Sequence, residues 1–141
     1  MMVLSKPLGI LLCSAAGILS SGCYISETTE TGPTVSVPRG YLTLRWTIEN
    51  SNSPAMCRLY GASDLELLIY DRNQRQIAAT YARCEDFEVT VELREGAYSA
   101  NATLVTSTAS AVSTTLPIAG IRITSGEALV IRADFPAESR R

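Results

Sequence analysis

Phe87-Glu88-Val89-Thr90-Val91-Glu92-Leu93-Arg94-Glu95-Gly96-Ala97-Tyr98 is the stretch that decides the fold of this 141-residue chain. Apolar side chains stand at every second position from Phe87 to Leu93 and alternate with polar or charged ones. Because a period of two places one set on each face of an extended strand, this segment is predicted to be a half-buried β-strand. Glu95-Gly96 is expected to turn the chain into a second strand over 97–106.

The same alternation recurs on both sides of this strand. Further strands or short extended segments are predicted at 40–49, 65–70, 76–82, 111–116, 121–123 and 129–135. Trp46 belongs to the core-facing set of the first of them, and Pro117 is expected to end a strand or to lie at an edge. Ala55–Ala62 is expected to be a short helical turn or an irregular crossing. Short strands with frequent turns and no sustained helical period predict an all-β fold, an antiparallel β-sandwich of about seven strands over residues 40–136. Residues 137–141 are expected to be a C-terminal tail.

The turn at Gly96 also carries a recognisable motif. Leu93-x-x-Gly96-x-Tyr98 resembles the corner of fibronectin-III-like, transthyretin-like and carboxypeptidase-regulatory-like sandwiches, which share an Ig-like architecture. In those domains the glycine turns the chain and the tyrosine starts the next strand, with its hydroxyl tied to nearby backbone. The resemblance implies that Tyr98 is largely buried. Since many superfamilies share this corner, it implies a fold and not an activity.

Residues 1–22 have the three-part form of a secretory signal peptide. Lys6 is followed by an apolar run, Pro7–Leu19, that is shorter than the about 20 residues of a membrane span. Leu19-Ser20-Ser21-Gly22-Cys23 then resembles the lipobox of bacterial lipoproteins, with Ser20 where that family usually has leucine. The alternative is an ordinary signal peptide that is cut elsewhere and leaves Cys23 as a free thiol.

The lipobox resemblance implies that Cys23 is the first residue of the mature chain and is lipidated, with palmitate among its acyl groups. Two or more acyl chains give stable membrane anchoring. Tyr24, where an aspartate would signal inner-membrane retention, implies the outer membrane. The mature chain also resembles small predicted lipoproteins of myxobacterial type, a resemblance that brings no activity with it.

Residues 23–39 are expected to be a flexible tether between the anchor and the domain. The segment is rich in Thr, Ser and Pro and has no period. The alternative is a first edge strand at Thr34–Val37. Once Cys23 is assigned to lipid and Cys13 to the signal peptide, Cys57 and Cys84 remain. In an oxidising compartment such a pair is predicted to form a structural disulfide.

The composition argues against most enzymatic and nucleic-acid functions. The chain has no histidine and a formal net charge of −2, so it lacks the commonest general base, the commonest metal ligand and a basic surface for nucleic acid. Glu88 and Glu92 fall on one solvated strand face, which does not suit paired acid–base catalysis. Asp71-Arg72-Asn73 and Glu85-Asp86 are weighed as calcium ligands, but the first reads better as a hairpin turn. No cofactor or metal is expected.

The remaining interpretation is a non-enzymatic, lipid-anchored envelope protein whose β-sandwich is an interaction module. Leu68 and Tyr70, on the face opposite Leu67, are the candidate interaction surface, because apolar side chains on an outer face mark a binding site when they form a patch. The expected partner is another envelope protein or a glycan. The alternatives are a structural surface component without a specific ligand and a carbohydrate-binding module. A hydrolase is a further alternative, from a different functional class.

Overall fold

The structure is a computed structural model that describes residues 36–141, and within this range the chain forms a two-layer β-sandwich. The predicted all-β sandwich of about seven strands is confirmed. The elements are β1 (Arg39–Ile48), α1 (Pro54–Tyr60), β2 (Asp64–Asp71), β3 (Gln76–Arg83), a 3₁₀ turn (Cys84–Asp86), β4 (Glu88–Arg94), β5 (Gly96–Val105), β6 (Leu116–Ile123), β7 (Ala128–Phe135) and a second 3₁₀ turn (Ala137–Ser139). The predicted signal peptide, Cys23 and the tether up to residue 35 lie outside the described residues.

The two layers are a three-stranded sheet in the order β4-β1-β7 and a four-stranded sheet in the order β3-β2-β5-β6. All strand pairs are antiparallel except β1 and β7, which run parallel with Leu44 opposite Ile131. The alternation of the sequence does not distinguish the two directions, because side chains alternate with period two in both.

The core lies between the layers and is built from the apolar sets that the alternation predicts. Trp46 is buried in it, as expected, and its ring centroid lies 6.1 Å from that of Phe87. The fully buried large side chains are Leu42, Leu44, Ile48, Leu65, Leu67, Ile69, Leu104, Ile121, Ile123 and Phe135.

Pro117 lies on an edge strand, as predicted, but the strand bounds differ from the prediction. The predicted strand at 111–116 is absent apart from isolated bridges at Ala111 and Ser113, and β6 instead runs from Leu116 through Pro117 to Ile123. β6 is an edge strand that pairs with β5 alone. Because an edge strand leaves half of its backbone groups unpaired, the N–H that proline lacks need not remove a bond from the sheet.

A disulfide joins α1 to the turn before β4. Ser53 caps the start of α1 by accepting a bond from the Ala55 N–H at 3.3 Å, and Gly61, with φ of 68°, ends it. Both conformations are typical of helix termini. Cys57 in this helix and Cys84 are buried and bonded to each other, with 5.9 Å between their Cα atoms, so the predicted pairing is confirmed.

The corner at Gly96 has the predicted hydrogen bond, and its tyrosine packs at the margin of the core. The Tyr98 hydroxyl donates to the Arg94 carbonyl at 2.8 Å, which is the bond expected of a tyrosine corner. The Tyr98 side chain is partly buried and packs against the core. It lines two clefts, of about 260 and 390 Å³, which open beside the ring and leave part of it exposed.

The ends of the described range differ from the simple picture of a tether and a tail. β1 begins at Arg39, and Ser36–Pro38 belong to no strand. The last residues pack on the sandwich: Ser139 is buried and accepts the Thr114 N–H, while the Arg141 N–H donates to the Val112 carbonyl.

Candidate functional site

The outer face of the four-stranded sheet carries the predicted interaction residues, Leu68 and Tyr70. Both point away from the core, as predicted, and both are half-buried. Their register partners are small or polar: Ala79 and Asn101 flank Leu68, and Gln76 and Ser99 flank Tyr70. The neighbours therefore add little apolar area to the two side chains.

Tyr81 extends this surface, although the sequence argument did not assign it to the site. It is the most exposed large apolar side chain of the described residues, at 54%, and its hydroxyl donates to Glu66 Oε1 at 2.6 Å. That hydrogen bond and the negative charge of Glu66 raise the pKa of Tyr81. The sequence does contain a signal for this position, because the predicted hairpin turn at 71–75 pairs β2 with β3 and so places Tyr81 opposite Glu66.

We call the strip formed by Leu68, Tyr70, Ala79 and Tyr81 the aromatic strip. Hydroxyl groups border it, among them Thr103 and Thr115, which are hydrogen-bonded to each other at 2.9 Å. An open strip of this kind can contact a flat partner surface or the face of a sugar ring. It brings together no set of groups that would perform acid–base or nucleophilic chemistry.

The outer face of the three-stranded sheet is a ladder of polar cross-strand pairs. Thr43 and Thr90 share a hydrogen bond at 2.8 Å, and Thr47 donates to Asp134 at 2.6 Å. Arg45 pairs with Glu88, which the sequence placed on a solvated face. Glu92, predicted on the same face, lies 3.6 Å from Arg39. Each carboxylate is thus paired with an arginine on β1. Glu92 shares the cleft of about 390 Å³ with Asp71, but Asp71 is itself paired with Arg75.

In each of the two candidate calcium segments, one carboxylate is engaged by the protein itself, Asp71 in the first and Glu85 in the second. Asp71 Oδ1 accepts the backbone N–H groups of Asn73 and Arg75, and Asp71 Oδ2 pairs with the Arg75 guanidinium at 2.8 Å. The bond from the Arg75 backbone is the main reason that the pKa of Asp71 is lowered. Glu85 lies 3.6 Å from Arg58 and 3.5 Å from Arg83. Within residues 36–141, no three His, Cys, Asp or Glu side chains gather in a metal-binding group.

The pole that holds α1 contains a second polar cluster, which the sequence did not reveal. Glu49 and Asn50 both have positive φ, 51° and 61°, and form a tight turn between Ile48 and Ser51. The buried Tyr60 hydroxyl donates to Glu49 Oε1 at 3.0 Å, and the Arg140 guanidinium lies 5.6 Å from the centre of the Tyr60 ring. Burial is the first cause that raises the pKa of Tyr60. The cluster ties three distant segments together and contains no nucleophile activated by a base.

Comparison with known proteins gives structural neighbours only. No family model and no curated protein matches the sequence. Among solved structures, the domain is similar to part of the Bacillus anthracis TIE protein, with a TM-score of 0.48 and 14% identity over 70% of this chain and 17% of that one. It is also similar to part of a leucine-rich repeat protein from Bacteroides thetaiotaomicron, with a TM-score of 0.46 and 14% identity over 71% of this chain and 12% of that one. The chain therefore spans less than a fifth of either neighbour.

The helical content of the described domain is small. Among residues 36–141, no helix has the length and apolar character needed to cross a membrane. The longest is α1, with seven residues.

Proposed function

We propose that this protein is a non-enzymatic, lipid-anchored component of the cell envelope that presents its β-sandwich as an interaction module. The observation that carries the proposal is the buried Cys57–Cys84 disulfide. Structural disulfides of this kind form and persist in oxidising compartments outside the cytosol. Export is also what the resemblance of Leu19–Cys23 to a lipobox implies, and the lipid on Cys23 would hold the domain at the outer membrane.

The aromatic strip is the surface proposed to meet an envelope protein or a glycan. It offers the exposed ring of Tyr81 beside Leu68 and Tyr70, and rings of this type bind both protein surfaces and sugar faces with little loss of side-chain entropy. The half-buried state of Leu68 and Tyr70 and their small polar neighbours favour a second candidate, a structural surface component without a specific ligand.

The anchoring is tested by labelling growing cells with a fatty-acid analogue. The wild-type chain should be labelled, and Cys23→Ala should lose the label and accumulate as the unprocessed precursor. Cys13→Ala is the matched control, because it removes the other cysteine of the N-terminal 23 residues and should leave the labelling unchanged. Label that survives in the Cys23→Ala chain would place the anchor elsewhere and refute the lipid-anchored part of the proposal.

The interaction is tested by placing a photo-crosslinking residue at Tyr81 in intact cells. Tyr41 is the control position, since it is an equally large side chain, 47% exposed, on the outer face of the other sheet. A discrete crosslinked product from position 81 and none from position 41 would support the aromatic strip as the interaction surface. Equal or absent crosslinking at the two positions would favour the structural role.

A further inference from the structure

A cleft of about 240 Å³ opens beside Trp46, where β4 no longer covers the edge of β1. β4 begins at Glu88, which pairs with Arg45, so Trp46 and Thr47 have no β4 residue opposite them. The backbone N–H of Trp46 donates instead to the Phe87 carbonyl, at 3.1 Å. The cleft is lined by Arg45, Trp46, Thr47, Asn52, Phe87 and Arg132.

Two arginines on neighbouring strands line this cleft. Arg45 on β1 and Arg132 on β7 are register partners, and neighbouring strands lie about 4.8 Å apart. Glu88 pairs with Arg45 from the other side, whereas Arg132 forms no ion pair with any residue in 36–141. Like charges directly opposite each other destabilise a sheet. The arrangement therefore leaves one guanidinium without a compensating anion at the cleft.

Besides Glu88 on β4, this face carries the carboxylate of Asp134 on β7, whose Oδ1 is engaged by other groups. It accepts hydrogen bonds from the Thr47 hydroxyl at 2.6 Å and from the Asn50 N–H at 2.8 Å. No salt bridge joins it to Arg132 among the described residues. Arg132 therefore has no direct ion-pair partner on β7.

Trp46 supplies a second, independent observation. Its side chain is 2% exposed, and its indole N–H has no hydrogen-bond partner within residues 36–141. Buried polar groups in native proteins are nearly always paired, so an unpaired donor on a residue that lines the cleft requires an explanation. Because the Nε1 atom itself is buried, an acceptor atom on a ligand in the cleft would reach it only if the ring turns.

We propose that the Trp46 cleft binds a small carboxylate-bearing ligand no larger than one sugar unit. A carboxylate matches the planar guanidinium of Arg132 and can share that of Arg45. The Asn52 amide can hydrogen-bond to neutral polar groups of the ligand, and the rings of Trp46 and Phe87 can pack against its apolar face. Pockets for drug-sized ligands measure about 300–1,000 Å³, and this cleft is smaller. The site lies on the sheet opposite the aromatic strip and does not depend on the proposed lipid anchor.

Trp46 provides a specific optical probe, because it is the only tryptophan of the chain. Purified full-length protein is titrated with D-glucuronate, with D-glucose as the uncharged ligand of equal size, and with sodium chloride at matched ionic strength. We expect a saturable change of tryptophan emission with glucuronate and no saturable change with glucose or chloride. Acetate as a fourth ligand separates the sources of the carboxylate: saturation by acetate indicates a bare carboxylate site, and saturation by glucuronate alone indicates a sugar acid. Both results support the site.

Two substitutions connect the signal to the cleft. Arg132→Gln should weaken glucuronate binding by about tenfold or more, the typical effect of losing a charge-assisted hydrogen bond. Arg122→Gln is the matched control, an exposed arginine on β6 that also lacks an ion pair within the described residues. Glu88→Gln should tighten binding, because it removes the anion that competes for Arg45.

Three results would overturn the proposal. They are the absence of a saturable signal with every carboxylate, an equal response to glucose or chloride, and an equal loss of affinity in Arg122→Gln and Arg132→Gln. The unfolding temperature of each variant is measured first, and because the substituted side chains are exposed, it should match that of the wild-type protein.

Discussion

The Cys57–Cys84 disulfide joins residues 27 apart in the sequence, and breaking it should destabilise the domain substantially. In the chain-entropy account, a loop of this length lowers the entropy of the unfolded chain enough to contribute about 3.6 kcal/mol at 25 °C. The net stability of a small domain is commonly about 5–15 kcal/mol. The bond is therefore expected to supply a large part of the free energy of unfolding.

The perturbation should be applied in two ways, because both cysteines are buried. Reduction with a thiol reagent breaks the S–S bond, adds one hydrogen to each sulfur and keeps every heavy atom of the protein. The double variant Cys57→Ala/Cys84→Ala also removes both sulfur atoms from the core, so it should be less stable than the reduced wild-type protein. The difference between the two separates the loss of packing from the loss of the cross-link.

The assay is equilibrium unfolding in urea, followed by the emission of the buried Trp46. The reduced protein should unfold at a lower urea midpoint and with a steeper dependence on urea, because an unfolded chain without the cross-link exposes more surface. A reduced protein whose free energy of unfolding lies within about 1 kcal/mol of the oxidised one would refute the loop argument. Two free thiols at these positions in never-reduced exported protein would refute the bond itself.

Three further predictions concern single positions. Gly40→Ala should lower the free energy of unfolding by about 3 kcal/mol, the upper end for overpacking, because its Cβ would lie 2.2 Å from the Thr124 carbonyl oxygen and 2.9 Å from that of Glu127. Gly120→Ala, in open space with φ of 72°, should cost less, and equal melting temperatures would contradict the steric argument. Tyr98→Phe should lose about 1 kcal/mol in urea unfolding, the typical contribution of one hydrogen bond, and unchanged stability would mean that the bond to Arg94 contributes nothing. The lowered pKa of Asp71 means that its ionised form stabilises the fold above the pKa of the unfolded chain and that this stabilisation is lost as the pH falls through the folded pKa. Asp71→Asn should therefore make the free energy of unfolding fall less steeply as the pH is lowered. An unchanged slope would show that the Asp71 carboxyl group does not contribute to this pH dependence.

The sequence predicts the strands well where the information is local. β1, β2 and β4 follow from a period of two, and the turn at 71–75 follows from its polar residues, since both signals lie within a few positions. The disulfide followed from elimination among four cysteines. These features do not require knowledge of which strands are neighbours.

The features that the sequence did not reveal depend on contacts between distant residues. The sequence left open whether Pro117 ends a strand or lies at an edge, and the sheet order decides for an edge strand that continues through it. The turn at Glu49-Asn50 places a non-glycine pair at positive φ, and contacts with Tyr60 and Asp134 support it. Local preference alone argues against that conformation.

The candidate sites show the same division. Leu68 and Tyr70 were placed on the outer face by alternation, and that placement is correct. Tyr81 joined them only through the register of β2 with β3. The unpaired indole N–H of Trp46 and the neighbouring guanidinium groups depend on the end of β4 and on the β1–β7 pair, so no local pattern could have shown them.

The parallel pairing of β1 with β7 has a consequence for the order of folding. A chain that emerges from the ribosome N-terminus first carries β1 long before residues 128–135, so β1 can pair with β4 but not with β7 until those residues have been made. Pairing between the ends of a domain raises its contact order, and high contact order slows folding. Under the proposed export, that delay would keep the chain extended enough to be threaded through a translocation channel before the sandwich closes.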